Sequence, residues 1–413
     1  MFLVWLTLWI TLRITDVHAR DLTYEDCVRI VAQKNPELGS AQENLRSAEE
    51  SVAGAYSPFF PELSAGLSAN RQSPASIYGD PLHGLNAQLR MNLFSGLRDF
   101  ASIRQARARR AVAEATLDQT RARVSFLLRK AYAQYRYARE NRDLAEKIRE
   151  RRAQNERLVR ALYENGRENK GSYLLSKALL EQAVFETRVA RDQAVIASQQ
   201  LAHVLGEDSF DIEPTGEVPV QTPPEGLNAA DFLMETPLHR IRKAQQELAE
   251  AQASGSWSGF LPSLDLTGST SNRSDRPLPG ENRQWNLGLS LTIPLFSGLS
   301  TFREVRARAA LERAATADLQ ATDFDILNEL RQNLFSFQQS VEKWRVDLTT
   351  LEAATVRATI SRKRYNNGIL MFEQWDIIET DLINRQKTAL ISKRDRIIAE
   401  SAWMQSRGKG DLP

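Results

Sequence analysis

The segment Leu93-Phe94-Ser95-Gly96-Leu97 occurs a second time in this chain, as Leu295-Phe296-Ser297-Gly298-Leu299. Each copy follows a segment in which apolar and polar residues alternate, the pattern of a β-strand with one apolar face. Each copy precedes about 66 residues without proline or interior glycine, enough for a helical rod of roughly 100 Å. The two copies therefore predict the same junction twice, where a strand ends and a very long helix begins.

Other anchors recur at nearly the same offset, which predicts a tandem duplication of a unit of about 200 residues. Tyr163 and Gly166 are matched by Tyr365 and Gly368, and Pro36 and Pro61 are matched by Pro237 and Pro262. We expect one repeat over residues 20–206 and the other over residues 227–406. A proline-rich linker at 207–226 joins them, and a short tail follows at 407–413.

Each repeat is predicted to contain the same series of elements. A helix opens the repeat, from a cap at Thr23 to about Ala55 in one and from Asn228 to about Ser256 in the other. Two strands follow, and then the long helix, a glycine turn and a return helix of about 35 residues. The predicted strands cover about 62–71 and 84–94 in the first repeat, and about 263–272 and 284–296 in the second.

The long helix of the second repeat carries apolar residues at alternating intervals of three and four, which is the seam of a coiled coil. The seam consists of Leu327, Leu330, Leu334, Phe337, Val341, Trp344, Leu348 and Leu351. A rod with such a seam packs along a partner helix. The predicted fold class is therefore mostly α, with long coiled-coil helices from two repeats and a small β portion of four strands.

The N-terminal segment differs from the rest of the chain. Residues Met1–Leu12 carry no charge, and Val17-His18-Ala19 approximates the small-x-small pattern of a signal-peptidase site. An apolar run of this length is too short to span a bilayer as a helix. We therefore expect residues 1–19 to be a secretory signal, with a buried N-terminal helix as the alternative.

The composition argues against several functional classes. Lys and Arg number 54 and Asp and Glu number 52, so the net charge of +2 gives no case for nucleic-acid binding. The single cysteine, Cys27, excludes an intrachain disulfide and a cysteine zinc site. The four histidines are scattered and no phosphate-binding glycine loop follows a strand, so we expect no metal, no cofactor and no enzymatic activity. The arginine run Arg104–Arg110 is interpreted as a solvated helix face.

The predicted strands have the length and patterning of membrane-crossing β-strands. One face is mostly leucine, and the other carries serine, asparagine, glutamine and glycine. Four strands are too few to close a barrel, so a barrel would have to be shared between chains. A soluble hairpin packed on helices is the alternative that alternation leaves open. Aromatic residues gather at the base of the strands, as in the interfacial girdle of a membrane barrel: Tyr56, Phe59, Phe60, Phe94, Trp257, Phe260 and Phe296.

In their order, these motifs resemble those of the TolC-like outer-membrane efflux proteins, also called outer membrane factors. The resemblance implies a homotrimer in the cell outer membrane, with four strands from each chain in a shared 12-stranded barrel and the long helices in a periplasmic tunnel. It implies a passive export duct for small molecules or proteins, in a tripartite efflux pump or a type I secretion system, that contacts outer-membrane lipid. The implied partners are a periplasmic adaptor and an inner-membrane pump of the RND or ABC type, with no nucleic acid. The resemblance covers about Leu22 to Met404 and rests on the NPEL start at Asn35, the junctions at Pro61, Pro262, Gly96 and Gly298, and the turns at Gly166 and Gly368.

The resemblance also implies a constriction at the periplasmic tip of the tunnel, formed by acidic residues after the second glycine turn. Asp376 and Glu379 keep the acid-x-x-acid spacing of that segment and share one helix face. In a trimer they would form acidic rings that favour cations. A solvated helix face is the alternative.

Two other functions remain open at the level of the sequence. A periplasmic coiled-coil adaptor or scaffold would have the rods but no membrane barrel. A cytosolic coiled-coil nucleic-acid binder would use the arginine run and would keep its N-terminal segment.

Overall fold

The computed structural model describes residues 20–70, 82–207, 212–223, 226, 228–274 and 283–412, so the predicted signal lies outside the described residues. The first repeat contains β1 (Arg20–Leu22), α1 (Tyr24–Lys34), α2 (Pro36–Gly54), β2 (Glu62–Asn70), β3 (Leu82–Ser95), α3 (Arg98–Glu164) and α4 (Lys170–Leu205). The connection between the repeats contains β4 (Ile212–Pro214). The second repeat contains α5 (Pro237–Ser256), β5 (Ser263–Ser274), β6 (Arg283–Thr292), α6 (Ser300–Asn366) and α7 (Phe372–Ser406).

A proline divides the opening segment of each repeat, where the sequence pattern predicts one continuous helix. Asn35 ends α1 and caps α2, since its Oδ1 accepts a hydrogen bond of 3.0 Å from the backbone N–H of Glu37. Pro36 occupies the first turn of α2, where an N–H would have no helical partner. In the second repeat Thr236 caps α5, and a 3₁₀ helix precedes it over Ala229–Glu235. The prediction of one helix was wrong because proline disfavours helical backbone in the residue before it.

Two consecutive residues with positive φ connect each strand to the long helix that follows. Gly96 and Leu97 have φ of 64° and 67°, and Gly298 and Leu299 have φ of 63° and 66°. Glycine adopts this conformation freely, whereas a leucine does so at a cost of roughly 1–2 kcal/mol. The repeated motif thus encodes one specific backbone turn, which the chain forms twice with the same geometry.

The four long strands form one antiparallel sheet in the order β2-β3-β5-β6, and β1 and β4 pair separately in parallel. Directly opposed residues share a face, and the register places Leu266 opposite Leu289. The edges of the sheet are β2 and β6. Strand β6 ends at Thr292 and not at the predicted residue 296, because Pro294 has no N–H for a ladder hydrogen bond.

The helices form a layer whose members change halfway along its length. Next to the sheet, α2, α3, α5 and α6 pack side by side, and at the far end the order is α4, α3, α7 and α6. Helices α3 and α6 extend through both halves with 67 residues each, which corresponds to about 100 Å. No helix in the described part of the chain is both long enough and apolar enough to serve as a membrane span.

The largest buried cluster of the described residues lies in the middle of the molecule, where the two halves of the layer meet. It contains Cys27 of α1, Leu128 and Tyr132 of α3 and Leu201 of α4, all almost fully buried. Tyr132 donates from its hydroxyl to the carbonyl oxygen of Thr215 at 2.8 Å. This bond attaches the connection between the repeats to α3.

The predicted coiled-coil seam of α6 is only partly correct. Leu330 and Phe337 are buried, as predicted, but Leu348 is 41% exposed. Nearer the glycine turn the buried positions are Ala354 and Ala358, which pack with Leu382 of α7. A strict heptad drifts around a straight helix, so one register does not fit the whole length of α6.

Candidate functional site at the helix turns and the sheet

Both long helices end in the same glycine turn. The N–H of Gly166 donates to the carbonyl oxygen of Tyr163 at 2.9 Å, and the N–H of Arg167 donates to that of Leu162 at 2.8 Å. The turn at Gly368 repeats this pair of bonds. The pattern is the Schellman motif, which satisfies the last carbonyl groups of a helix and reverses the chain. The predicted turn residues therefore end α3 and α6 and start the two return helices.

The two turns differ in their aromatic contacts. Tyr365 stacks on Trp375 with ring centroids 4.3 Å apart, and both side chains are buried. The Tyr365 hydroxyl donates to Glu168 at 3.2 Å, and burial together with this carboxylate raises the pKa of Tyr365. At the matching place in the first repeat, Tyr163 stacks on Tyr173 and is 37% exposed. The second turn is therefore the one that reaches across to the other hairpin.

Asp376, the first predicted constriction acid, forms an ion pair with Arg152 of α3. Arg152 donates from Nη1 to Oδ1 of Asp376 at 2.6 Å and from Nη2 to the hydroxyl of Thr380 at 2.8 Å. The Arg152 and Asp376 side chains are 8% and 19% exposed. The pair is largely withdrawn from solvent and joins the first repeat to the second.

Glu379, the second predicted acid, is buried more deeply, with a side chain that is 3% exposed. Its Oε1 lies 3.5 Å from Nη2 of Arg362, and its Oε2 lies 4.0 Å from Nη1 of Arg151. Burial lowers the pKa of Arg151, and the Glu379 carboxylate opposes that shift. These distances are long for hydrogen bonds, so the attraction between Glu379 and the two arginines is mainly a charge interaction.

The structure thus brings the two acids together with three arginines that were not predicted from the sequence. Arg362 carried a signal, because it closely precedes Gly368 and an antiparallel hairpin brings it alongside the acids. Arg152 carried none, since it lies 224 residues from Asp376 in the sequence. In a single chain both acids face neighbouring helices, and their role in a constriction stays a prediction.

The apolar face of the sheet is open in the single chain. Leu63 of β2 is 75% exposed, and Leu287 and Leu289 of β6 are 66% and 64% exposed. The opposite face carries polar side chains, including Arg90, whose Nη2 lies 3.8 Å from Oδ1 of Asp265. The sheet therefore presents one apolar and one polar surface, and its edge leucines have no cover among the described residues.

The aromatic residues predicted as a girdle all lie at the boundary between sheet and helices and are at least 37% exposed: Tyr56, Phe59, Phe60, Phe94, Trp257, Phe260 and Phe296. Two further aromatics, Phe100 and Phe302, lie in the first turns of α3 and α6 and are 56% and 45% exposed. The Phe59 and Phe100 rings meet edge to face at 5.5 Å. Phe100 and Phe302 follow the two copies of the repeated motif at the same distance, so the duplication identifies them as equivalent positions. Contact of this girdle with a membrane interface stays a prediction.

The remaining predicted positions are structural in the described chain. Pro61 and Pro262 follow short 3₁₀ helices at Ser57–Phe59 and Trp257–Phe260 and lead into β2 and β5. His239 lies with Nδ1 2.7 Å from Oδ1 of Asp323, which ties α5 to α6. Within the described ranges, no group of three or more His, Cys, Asp or Glu side chains is placed to hold a metal ion.

Two curated relatives have names that refer to secretion. The alkaline protease secretion protein AprF of Pseudomonas aeruginosa is 24% identical over 320 residues, which cover 73% of this chain and 65% of AprF. The proteases secretion protein PrtF of Dickeya chrysanthemi is 27% identical over 170 residues, which cover 36% of this chain and 37% of PrtF. The chain therefore matches less than two thirds of the length of either relative.

The fold has solved counterparts. The outer membrane protein VceC of Vibrio cholerae superposes with a TM-score of 0.82 at 19% identity, over 94% of this chain and 96% of VceC. This likeness confirms the predicted fold class of long helices with a small β portion. The sequence model described as outer membrane efflux protein matches residues 28–207 and 239–401, which is most of the chain. The resemblance noted from the motifs is thereby confirmed, and this chain belongs to the outer membrane efflux protein family.

Proposed function

We propose that this protein is the outer-membrane exit duct of an export machine and that it works as a homotrimer. The observation that carries the proposal is the open leucine face of the sheet at one end of the helical layer. Leu287, Leu289 and Leu291 of β6 are all more than 60% exposed. A contiguous apolar surface of this kind is unfavourable in water and is favourable against lipid acyl chains.

The edges of the sheet support a barrel shared between copies. In the described part of the chain, β2 and β6 each have a neighbour on one side only, and unpaired strand edges do not occur in the hydrocarbon region of a membrane. Pairing β6 of one copy with β2 of the next satisfies both edges. Three copies would then give a closed barrel of about 12 strands, within the range of known outer-membrane barrels.

The edges of the helical layer support the same association. Helix α4 forms one edge of the far half of the layer and α6 forms the opposite edge along the whole layer, and each carries exposed apolar residues eleven positions apart. An eleven-residue interval is close to three helical turns, so such residues form a stripe along one helix face. The stripes are Leu174, Phe185 and Ile196 on α4, and Phe324, Phe335 and Val346 on α6.

The glycine turns would form the periplasmic constriction of this duct. Three copies would bring three sets of Asp376 and Glu379 around one axis, together with the arginines that bind them. Because Arg152 and Asp376 belong to different repeats, opening the tip would require the two hairpins of each chain to separate. The charges at the tip would then influence which ions pass.

The cargo and the partners belong to the same proposal. AprF and PrtF are named for protease secretion, so we propose protein export as the first cargo class to test and small-molecule efflux as the second. In either case the duct is passive, and a periplasmic adaptor and an inner-membrane pump of the ABC or RND type would supply cargo and energy. The N-terminal segment 1–19 would direct export.

The test uses two neighbouring residues on opposite faces of β6. We expect a trimer that dissociates on heating, is recovered with the outer membrane and conducts ions in planar bilayers. Leu289→Arg places a charge on the lipid face and should cost about 2–4 kcal/mol near the bilayer midplane, whereas Ser290→Arg lies on the lumen face. Leu289→Arg should therefore abolish trimer recovery, and Ser290→Arg should leave it intact. Recovery of the wild type from the periplasm without detergent, or equal tolerance of both variants, would contradict the proposal and support a soluble adaptor.

A further inference from the structure

Each repeat carries the same pair of an aromatic residue and an arginine just beyond the sheet. Phe100 and Arg104 lie one turn apart on α3, and Phe302 and Arg306 lie at the equivalent positions of α6. The Arg306 guanidinium lies over the Phe302 ring, 4.7 Å from its centroid. Residues four apart occupy the same face of a helix, so each arginine lies directly below an exposed aromatic of the girdle.

These arginines lie on the side of the layer that carries the girdle. Phe100 contacts Phe59, and Arg107, seven residues beyond Phe100, donates from Nη2 to the hydroxyl of Tyr56 at 2.6 Å. Arg104 donates from Nη2 to the Ser254 hydroxyl at 2.7 Å, just before Trp257. We call Arg104, Arg107 and Arg306 the arginine collar.

The positive charge of the collar is not neutralised by an ion pair among the described residues. Its three members contact a hydroxyl, a phenol and an aromatic ring, and none of them lies within 4.0 Å of a carboxylate of the described residues. Other arginines of the same helices are paired with acids, as Arg110 is with Glu49 at 3.6 Å and Arg308 with Glu304 at 2.7 Å.

Neutral partners orient a guanidinium while leaving its other N–H donors free. A guanidinium has five such donors in a planar fork, which matches two oxygens of a phosphate. Glu250, exposed and without an ion-pair partner among the described residues, is an acid on the nearby α5 and reduces the local charge without cancelling it.

The depth of the collar matches the headgroup layer of a bilayer. One helical turn from Phe100 to Arg104 is about 6 Å, and the seven residues to Arg107 are about 10 Å. The polar layer on each side of a bilayer is roughly 5–8 Å thick, beginning where the hydrocarbon core ends. If the girdle marks that boundary, Arg104 and Arg306 lie among the lipid phosphates, and Arg107 lies at the outer edge of the headgroup layer.

We propose that the arginine collar binds the phosphates of anionic phospholipid headgroups in the periplasmic leaflet and so selects the lipids that surround the barrel. This inference rests on the proposed function, since it requires the sheet to enter a membrane. In a trimer the collar contains nine guanidinium groups in a ring, three from each chain. Each cation near an anionic surface contributes about 1 kcal/mol of attraction, so several together give a measurable preference.

The experiment measures which lipid lies against the barrel. The trimer is reconstituted into vesicles that contain either brominated phosphatidylglycerol or brominated phosphatidylcholine, and quenching of the exposed girdle residue Trp257 is recorded in a Trp285→Phe background. We expect phosphatidylglycerol to be preferred at least about threefold, and the preference to fall close to one in Arg104→Gln/Arg306→Gln. The matched control is Arg98→Gln/Arg109→Gln, which removes the same charge from the opposite face of α3, six residues before and five residues after Arg104, and should keep the preference.

Lipid binding by the collar is overturned if the two lipids quench the wild type equally, or if the preference is unchanged in Arg104→Gln/Arg306→Gln. Neither result contradicts the proposed duct. Absence of quenching by both lipids overturns the duct and the collar together. An excess of inorganic phosphate, compared with sodium chloride of equal ionic strength, separates a lipid headgroup from a free anion as the ligand. We expect the preference for phosphatidylglycerol to persist in phosphate. If phosphate abolishes the preference and sodium chloride does not, a free anion displaces the lipid, and the lipid is overturned as the ligand.

Discussion

Arg152 of α3 donates to Asp376 of α7 at 2.6 Å and so connects two residues that are 224 positions apart in the sequence. The bond lies where both hairpins turn, and the Arg152 side chain is 8% exposed. Removing one partner of a poorly solvated ion pair leaves an uncompensated charge, which costs more than the pair itself contributes. Asp376 is therefore a structural link between the repeats in addition to any effect it has on ions.

We predict that Asp376→Ala with Glu379→Ala raises the conductance of the channel by at least about twofold and weakens its cation selectivity. The double change removes two acids and leaves Arg151, Arg152 and Arg362 without the carboxylates that face them. The hairpins then lose a link, and the local charge becomes positive. Single-channel recordings with a salt gradient measure both quantities.

The control for this prediction is Asp381→Ala. Asp381 lies on the same helix but pairs with Arg385 within α7 at 3.2 Å, so its loss should leave the link between the repeats intact. Unchanged conductance and selectivity in the double variant would remove the proposed constriction.

Sequence patterns predicted the turns and helix ends more accurately than they predicted the contacts between helices. The sequence predicts a helix of about 66 residues before the turn at Gly166, and α3 has 67 residues and ends at Glu164. A glycine turn is encoded within a few residues, so it can be predicted from the local sequence. The pairing of Arg151 and Arg152 with Glu379 and Asp376 depends on how two hairpins pack, and no pattern along the chain predicts that packing. The missed break at Pro36 is different, because its local signal was present in the sequence.

The duplication allows a matched comparison of Gly96→Ala with Gly298→Ala. Both glycines have positive φ, so alanine costs about 1 kcal/mol at either site. At Gly96 a Cβ would lie 2.9 Å from Cβ of Leu261 and 3.0 Å from the carbonyl oxygen of Ser258, which adds about 1–3 kcal/mol of overpacking. At Gly298 a Cβ meets nothing within 4 Å in the single chain. We predict that Gly96→Ala impairs folding of the protomer and Gly298→Ala does not.

The same pair of variants tests the trimer. If β6 pairs with β2 of the next copy, Phe60 of the partner subunit occupies the place that Leu261 occupies at Gly96. Gly298→Ala should then give folded protomers and a lower yield of trimer on semi-native gels. Full trimer yield from Gly298→Ala would count against pairing of these edges.

Cys27 should be unreactive in the folded protein. Its side chain is fully buried, and burial, with smaller contributions from the Asp26 and Glu207 carboxylates, raises the pKa of the thiol to about 11. Alkylation requires the thiolate, so we predict negligible labelling by iodoacetamide at pH 8 and complete labelling in denaturant. Mass spectrometry measures the labelled fraction. Because the folded pKa is raised, the thiol also favours the folded state below pH 9, and this contribution is lost between about pH 9 and 11. Rapid labelling without denaturant would show that the central core opens easily.

The buried Glu400, in the middle of the molecule, leads to a prediction about how stability depends on pH. Its side chain is almost fully buried, its Oε1 accepts from the backbone N–H of Gln221 at 2.9 Å, and the same oxygen lies 3.2 Å from Nη2 of Arg129. Burial raises the pKa of Glu400, although the Gln221 N–H and Arg129 act in the opposite direction. Arg129 has a second acid, Asp411, at 2.9 Å, so it does not depend on Glu400 alone.

A carboxyl group whose pKa is higher in the folded state holds its proton more tightly there than in the unfolded chain. Its contribution to stability is therefore fully present below its unfolded pKa and is lost as pH rises through the folded value. Glu400→Gln keeps the shape and removes the titration, so the variant should gain stability relative to the wild type as pH rises above about 4.5. Melting temperatures of both proteins from pH 4 to pH 8 measure the difference. If the wild type instead gains on the variant over that range, the Arg129 ion pair outweighs burial at this site and folding lowers the pKa of Glu400.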